Sequence, residues 1–148
     1  MLIKNERVLT ALAIMLDIAF HGGREGVVSG SDIAARGGLQ RRGIEPILQS
    51  LARCGLLSSV RGPRGGYRLA RSARLITLEN IADCVSTQTP LSRPRQDSLF
   101  QVVMVPVWEG LNDSVKKLLA TTTLDDMVIK ARKAGLKPAT EEPIAFVI

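Results

Sequence analysis

Apolar residues recur at three- and four-residue spacing near the start of the chain, over residues 4–21. This spacing places them on one wide face of an α-helix. Gly22 and Gly23 follow and are expected to end the helix. Val27 and Val28 are expected to form a short strand that pairs with a later hairpin.

A short polar segment and a longer amphipathic segment come next. Ser31 is a plausible N-cap for a short helix that stops at Gly37 and Gly38. A second helical unit is predicted from Leu39 to Cys54. A short helix, a glycine-containing turn and a second helix is the helix-turn-helix arrangement.

The second helix carries its own apolar face and two unfavourable residues. Gly55 is placed to end it as a glycine beyond the C-cap. Pro46 removes a backbone donor, and Gly43 weakens the same region by about 1 kcal/mol relative to alanine. We therefore expect the first half of this helix to be bent, tightened or ordered only on DNA. The buried face is predicted to contain Ile44, Ile47, Leu48 and Leu51.

Two short strand-like runs, residues 56–60 and 67–69, flank the segment Arg-Gly-Pro-Arg-Gly-Gly. Pro63 pre-sets φ for a turn, and the adjacent glycines permit positive φ, so the pattern predicts a β-hairpin. Its tip carries Arg61 and Arg64, which a narrow groove or a phosphate would attract. A hairpin directly after a helix-turn-helix predicts a winged helix-turn-helix.

The second half of the chain begins with a helix capped by Thr77 and changes character at residue 87. We expect a winged helix-turn-helix domain over residues 1–86, a polar linker over 87–98, dimerisation helices over 99–135 and a tail over 136–148. The last predicted helix begins with a capping box at Thr123. The fold class is thus mainly α with a small β wing (α+β), extended by a long C-terminal dimerisation helix. A coiled-coil-like seam is predicted at Met104, Trp108, Leu111, Val115 and Leu118.

The charge of the chain is concentrated in its first half. The net charge is +6, and residues 1–74 contain 12 Lys/Arg and 5 Asp/Glu, a net charge of +7. This asymmetry favours a module that binds a polyanion. Double-stranded DNA is the expected partner, and the residues predicted to contact it are Arg41, Arg42, Glu45, Gln49, Arg61, Arg64 and Arg68.

The two cysteines, Cys54 and Cys84, lie in helix-like apolar patterns, so we expect buried thiols and no disulfide framework. This expectation fits a cytoplasmic protein. The chain lacks an apolar run long enough to span a membrane and the layout of a signal peptide. No phosphate loop, zinc spacing or nucleophile–base set is visible, so an enzyme is not expected, and neither a metal nor a cofactor is predicted.

Three stretches of the chain resemble the Rrf2 family of bacterial transcription regulators. They are residues 51–57, residues 60–71 with their Arg-Gly-Pro-Arg-Gly-Gly-Tyr core, and residues 76–81; Trp108 and residues 123–128 add to the resemblance. The resemblance implies a homodimer whose second helix enters the major groove and whose wing arginine, Arg61, enters the minor groove. It also implies that Arg42, Glu45 and Pro46 face bases or backbone.

The chain departs from the family pattern at two places. Gly43 stands where the family usually has a tyrosine. Cluster-binding members carry three cysteines between the wing domain and the dimerisation helix, whereas residues 85–107 contain none here. We therefore expect no iron–sulfur cluster, and a response to a small molecule, to a partner protein or to no signal.

The sequence thus predicts a homodimeric, sequence-specific DNA-binding transcriptional regulator, more specifically a repressor. Two alternatives stay open. One is a protein-interaction module with a winged-helix fold and only weak DNA binding. The other is a cluster-sensing regulator with non-standard ligands.

Overall fold

The computed structural model describes residues 6–86 and 98–139. Within these residues the chain forms α-helices and one two-stranded antiparallel sheet. Their bounds are α1 Glu6–Gly22, α2 Gly30–Gly37, α3 Arg41–Arg53, β1 Leu57–Val60, β2 Gly66–Leu69, α4 Leu78–Val85, α5 Val105–Thr121 and α6 Leu124–Lys133. A 3-10 turn, Ala73–Leu75, precedes α4, and a π-helical turn, Phe100–Met104, precedes α5. The predicted fold class is confirmed.

The N-cap of the short helix α2 lies two residues earlier than predicted. Ser29 occupies the N-cap position in extended conformation, and its hydroxyl accepts a hydrogen bond from the Asp32 amide at 3.1 Å. Ser31 was expected to be the cap, and this was wrong because the helix already includes Gly30. Gly38 ends α2 with a positive φ of 62°, as its lack of a Cβ permits.

The second helix of the pair, α3, stays α-helical through Pro46. Its first turn is tightened, since the Gln40 carbonyl accepts from the Gly43 amide at 2.9 Å and from the Ile44 amide at 3.3 Å. Gly55 follows the helix with a φ of 73°, as predicted for a glycine beyond the C-cap. The helix therefore accommodates its proline by a local adjustment at its start.

The hairpin is closed against the segment before α2. Ser59 pairs with Tyr67 across β1 and β2, and Val28 forms an antiparallel bridge with Tyr67 on the other side. The predicted pairing of Val28 with the hairpin is confirmed. A Cβ at Gly66 would collide with the Val28 carbonyl oxygen, so the close approach of these backbones requires glycine.

We call the unit of α1–α4, β1 and β2, residues 6–86, the head. Aliphatic residues from its helices and strands form one core around α1, which Leu124 of α6 completes. The starts of α4 and α6 lie side by side, because the Leu78 amide donates to Thr122 and the Leu124 amide to Ile76. Both helices carry a capping box, Thr77 with Asn80 and Thr123 with Asp126. Helix α6 thus packs on the head of its own chain.

Helix α5 lies along α4. Residues 99–118, which include the π-helical turn before α5, carry most of the exposed large apolar side chains of the described residues. Pro106 occupies the first turn of α5, where its missing amide donor breaks no helical hydrogen bond. Leu119 packs on the core of the head. The predicted linker falls outside the described residues except for Ser98, and the described part of the tail ends at Ala139.

The cysteines differ from expectation. Cys54 is exposed, Cys84 is half-buried, and the two form a disulfide. The prediction of two buried thiols was wrong because Cys54 follows α3 and lies outside its apolar face. The last turn of α4 returns to this end of α3, a juxtaposition across 30 residues that local periodicity does not contain.

Candidate nucleic-acid interface

A groove runs between the start of α2, the start of α3 and the hairpin. Its volume is about 430 Å³. Arg41 and Arg61 both line the groove, Arg41 from the start of α3 and Arg61 from the base of the hairpin turn. The structure therefore brings two of the predicted DNA-contacting arginines to one concave surface. The other lining residues are Ser29, Gly30, Ser31, Ser59, Val60, Gly62, Gly65, Gly66 and Tyr67.

A polar network fixes the α3 side of this groove. Arg41 donates through Nη1 to the Ser31 hydroxyl at 2.7 Å, and its Nε lies 3.8 Å from the Glu45 carboxylate. The Tyr67 hydroxyl donates to the other Glu45 oxygen at 3.4 Å. Glu45, the single acid between residues 36 and 74, therefore links the hairpin to α3.

The electrostatics of this network keep Tyr67 a neutral donor. Burial raises the pKa of the Tyr67 hydroxyl, and the neighbouring Glu45 carboxylate raises it further. A phenol with a raised pKa stays protonated at neutral pH. Tyr67 can therefore hold its hydrogen bond to Glu45 while the arginines carry the positive charge of the groove.

The outward face of α3 forms a second part of the candidate surface. Arg42, Pro46 and Gln49 are all exposed and are spaced by four and three residues, which places them on one helical face. Gly43 is also exposed, and a Cβ added there would meet no atom within 4 Å. This face presents a cation, an amide and an open stretch of backbone.

The remaining predicted arginines lie on the hairpin but away from the groove. Arg64 is exposed in the turn. Arg68 is exposed in β2 and follows Tyr67, so it points to the opposite face of the hairpin. The structure therefore separates Arg68 from Arg41 and Arg61, although all three belong to the same basic segment.

Arg36 and Arg74, at the two ends of the arginine-rich segment 36–74, pair with carboxylates of other helices. Arg36 forms a bidentate ion pair with Asp17, at 2.9 and 2.8 Å, which ties α2 to α1. Hydrogen bonding to Asp17 raises the pKa of Arg36 further above its usual value. Arg74 lies 3.6 Å from Asp125 of α6. A count of arginines along the sequence does not distinguish these side chains from the ones in the groove.

Sequence reasoning missed the uncharged residues of the groove. Ser29 and Ser31 come from the start of α2, and Ser59 and Tyr67 come from the hairpin. The signal available was the Ser-Gly-Ser segment, since a helix N-terminus with its free amides favours anions. The N-terminus of α2 therefore adds anion-binding character to the arginine groove.

The predicted dimerisation residues lie along one stripe of α5 and its N-cap, and they differ in exposure. Met104, Leu111 and Leu118 are exposed, whereas Trp108 and Val115 are half-buried. Val115 lies four residues before Leu119, which packs on the core of the head, and Trp108 lies seven residues before Val115. Among residues 6–86 and 98–139, nothing covers the outward apolar face of α5; its exposed members include Met104, Val107, Leu111 and Leu118.

The described residues contain no group of three or more His, Cys, Asp or Glu side chains that would hold a metal ion. The two cysteines of the whole chain are bonded to each other. Iron–sulfur clusters are held mainly by cysteine thiolates, so the donor set of the described residues does not fit a cluster. None of the helices in residues 6–86 and 98–139 is long and apolar enough to cross a membrane.

A helix-turn-helix followed by a hairpin, with arginines converging on the groove between them, defines a winged-helix DNA-binding protein. The chain belongs to the Rrf2 family: the family model, described as "Iron-dependent Transcriptional regulator", matches residues 5–130. This membership confirms the resemblance found in the sequence. The protein is a transcriptional regulator and not an enzyme.

Similar proteins support this assignment. The HTH-type transcriptional regulator IscR of Pectobacterium carotovorum is 33% identical over 80% of this chain and 74% of its own length. IscR of Cereibacter sphaeroides is 30% identical over 92% of this chain and 90% of its own length.

Solved structures of two regulators match the fold. One is IscR from T. potens, with a TM-score of 0.73 and 31% identity, over 92% of this chain and 93% of that chain. The other is CymR, the global cysteine regulator of B. subtilis, with a TM-score of 0.70 and 27% identity, over 85% of this chain and 95% of that chain.

Proposed function

We propose that this transcriptional regulator binds double-stranded DNA in a sequence-specific manner, with α3 in the major groove and the hairpin on the adjacent minor groove or backbone. The observation that carries this proposal is the convergence of Arg41 and Arg61 on one groove. Arginine is suited to both surfaces, since it pairs with guanine edges and is attracted by a narrow minor groove. Arg42 and Gln49 supply base- or phosphate-facing groups from the outward side of α3.

The active species in this proposal is a homodimer that pairs through α5. Leu111 is 51% exposed and Leu118 is 69% exposed, and both lie on the outward side of the helix. A second copy of the chain would cover this face and place two heads on one DNA duplex. Two-fold symmetry of the protein predicts a pseudo-palindromic site with half-sites one or more helical turns apart.

The proposed protein acts as a repressor in the cytoplasm and carries no iron–sulfur cluster. Occupancy of a promoter is sufficient for repression, whereas activation needs a further contact with the polymerase. The donor set supports the absence of a cluster, because the chain has two cysteines and one histidine. A small molecule or a partner protein is the proposed effector.

Replacement of Arg61 by alanine tests the DNA-binding proposal. We expect Arg61→Ala to weaken operator binding by about 1–3 kcal/mol, roughly five- to 150-fold, in fluorescence anisotropy at physiological salt. Arg74→Ala is the matched control, because Arg74 is exposed but pairs with Asp125 on α6. Equal affinities of the two variants would contradict the assigned role of the hairpin. Weak, non-specific binding by the wild-type protein would favour the protein-interaction alternative.

A further inference from the structure

A second cleft lies beside the end of α3 and shares no lining residue with the arginine groove. Its volume is about 290 Å³, close to the lower end of small-molecule pockets, about 300 Å³. The Cys54–Cys84 disulfide forms part of its wall. The remaining lining residues are Leu56, Arg71, Asn80 and Asp83.

This disulfide joins α3 to α4. Cys54 is the C-cap of α3, and Cys84 lies in the last turn of α4. Their Cα atoms are 6.2 Å apart, within the range of about 4.4–6.8 Å that a disulfide spans. The bond therefore joins the C-terminal end of α3 covalently to α4.

The surroundings of Cys84 also suit its reduced thiol. The Cys84 sulfur lies 3.1 Å from the carbonyl oxygen of Ser50, in the last turn of α3. On reduction, the Cys84 thiol can donate to this oxygen, so the freed group has an acceptor in place. The packing around Cys84 therefore accommodates both oxidation states.

Access to the bond is asymmetric. Cys54 is exposed, whereas Cys84 is half-buried. Thiol–disulfide exchange depends on access of the attacking thiolate to one sulfur, and exposed disulfides are the labile and regulatory ones. A disulfide in a protein of the reducing cytoplasm is usually transient or redox-sensing. The sequence has no third cysteine, so an exchange here cannot move to another thiol of the same chain.

The cleft offers charges of both signs to an incoming molecule. Arg71 lines one part of it, and its guanidinium passes within 3.7 Å of the position that a Cβ at Gly55 would occupy. Asp83 lines another part. A small thiol that carries carboxylates and an ammonium group, such as glutathione, complements both charges and fits the class of reactant that reduces an exposed disulfide.

We infer that Cys54 and Cys84 form a redox-active pair that exchanges with low-molecular-weight thiols, and that the disulfide form holds α3 in the DNA-binding arrangement. A glutathione thiolate attacks the Cys54 sulfur, and the electron pair of the broken bond passes to Cys84, which takes up a proton. A second glutathione thiolate then attacks the mixed disulfide, releasing the Cys54 thiol and oxidised glutathione. The regulatory half of the inference rests on the proposed function.

A firm attachment at the C-terminal end of α3 should favour DNA binding by the oxidised protein. Gly43 and Pro46 weaken the first half of α3, so its orientation depends on how firmly its other end is held. A covalent attachment at Cys54 reduces the freedom that DNA binding must remove. We therefore expect the oxidised protein to bind its operator at least about fivefold more tightly than the reduced protein, the lower end of typical coupling between sites.

The test equilibrates the full-length protein anaerobically with buffers of varied reduced-to-oxidised glutathione ratio and reads each sample twice. Acid quenching and intact mass spectrometry measure the dithiol, the disulfide and a mixed disulfide at Cys54. Anisotropy on operator DNA measures affinity in the same samples. Arg71→Ala should slow the reduction, whereas Arg74→Ala, outside the cleft, should not. The double variant Cys54→Ser/Cys84→Ser should bind like the reduced protein at every ratio.

The results of this test distinguish the thiol exchange at Cys54 and Cys84 from its effect on DNA binding. A disulfide that resists every glutathione ratio, or a disulfide between two chains on a non-reducing gel, would overturn the inference. Equal operator affinity of the oxidised and reduced wild-type protein would overturn its regulatory half, whether or not the variants fold. Reversible exchange without specific DNA binding in either state would instead overturn the proposed function and leave the thiol chemistry intact.

Discussion

The head and helix α5 use their apolar residues in opposite ways. In the head, side chains such as Leu48 and Leu51 are fully buried in one core that α1 organises. In α5, Leu111 and Leu118 face outward and lie more than half exposed. The two regions have similar apolar spacing in the sequence, so spacing alone predicts a buried face without saying which molecule covers it.

This difference separates the apolar surface that one chain buries by itself from the apolar surface that it leaves exposed. The head buries most of its apolar surface in one core, which four helices and the hairpin form and Leu124 of α6 completes. Within the described residues, helix α5 buries only one of its sides, against α4 and, through Leu119, against the core of the head. Large exposed apolar patches mark interaction sites, so the remaining side is the surface through which we propose that the homodimer forms.

The largest expected effect is on the stability of the head. Leu51→Ala removes a side chain of 0% exposure and should lower the free energy of unfolding by about 2–5 kcal/mol. Leu118→Ala is the matched control on α5. Its effect on chemical unfolding should shrink towards zero as the protein is diluted, because only the proposed dimer would bury that side chain. If both variants lost the same free energy of unfolding at every protein concentration, the contrast between a self-buried head and an exposed face of α5 would be contradicted.

The next expected effect is on assembly. Leu111→Glu should convert the dimer to a monomer in analytical ultracentrifugation, since an unpaired carboxylate in an apolar interface is costly. The far-ultraviolet circular dichroism should stay that of a folded head. Glu109→Gln changes an exposed residue of the same helix and should leave the dimer intact. A wild-type monomer, or a Leu111→Glu dimer, would contradict the role proposed for α5.

The smallest expected effect is a gain of stability at the DNA-facing surface. Gly43→Ala should stabilise the head by about 1 kcal/mol, because alanine favours the helix and its Cβ meets open space. Thermal unfolding would measure this gain. A loss of operator affinity in the same variant would indicate that DNA approaches the backbone at Gly43. A loss of thermal stability would show that α3 is not helical at this position.

Local features of the sequence were sufficient for most of the head. Helical periodicity located α1 and α3, and the glycines around Pro63 located the hairpin. The N-cap of α2 was misplaced because Ser29 and Ser31 flank one glycine, and either serine satisfies the local signal. The Cys54–Cys84 bond was missed because it depends on where α4 lands, which only the three-dimensional packing determines.

The candidate site was predicted in part for the same reason. Basic residues and the turn identified Arg61 and Arg41 as candidates, but only packing shows that they line one groove. The contact between Tyr67 and Glu45 joins residues 22 positions apart, and a helix position facing a strand position is not readable from either pattern alone. The DNA contacts of individual residues stay predictions.

Specific DNA binding is the central claim, and fluorescence anisotropy on DNA from upstream of the protein's own gene tests it most directly. The titration is repeated with random-sequence competitor and across a salt series. We predict tight binding that resists the competitor and weakens steeply as salt rises, because arginines displace counterions from phosphates. Binding no tighter than to random DNA, there and on DNA fragments selected from the genome, would contradict the account.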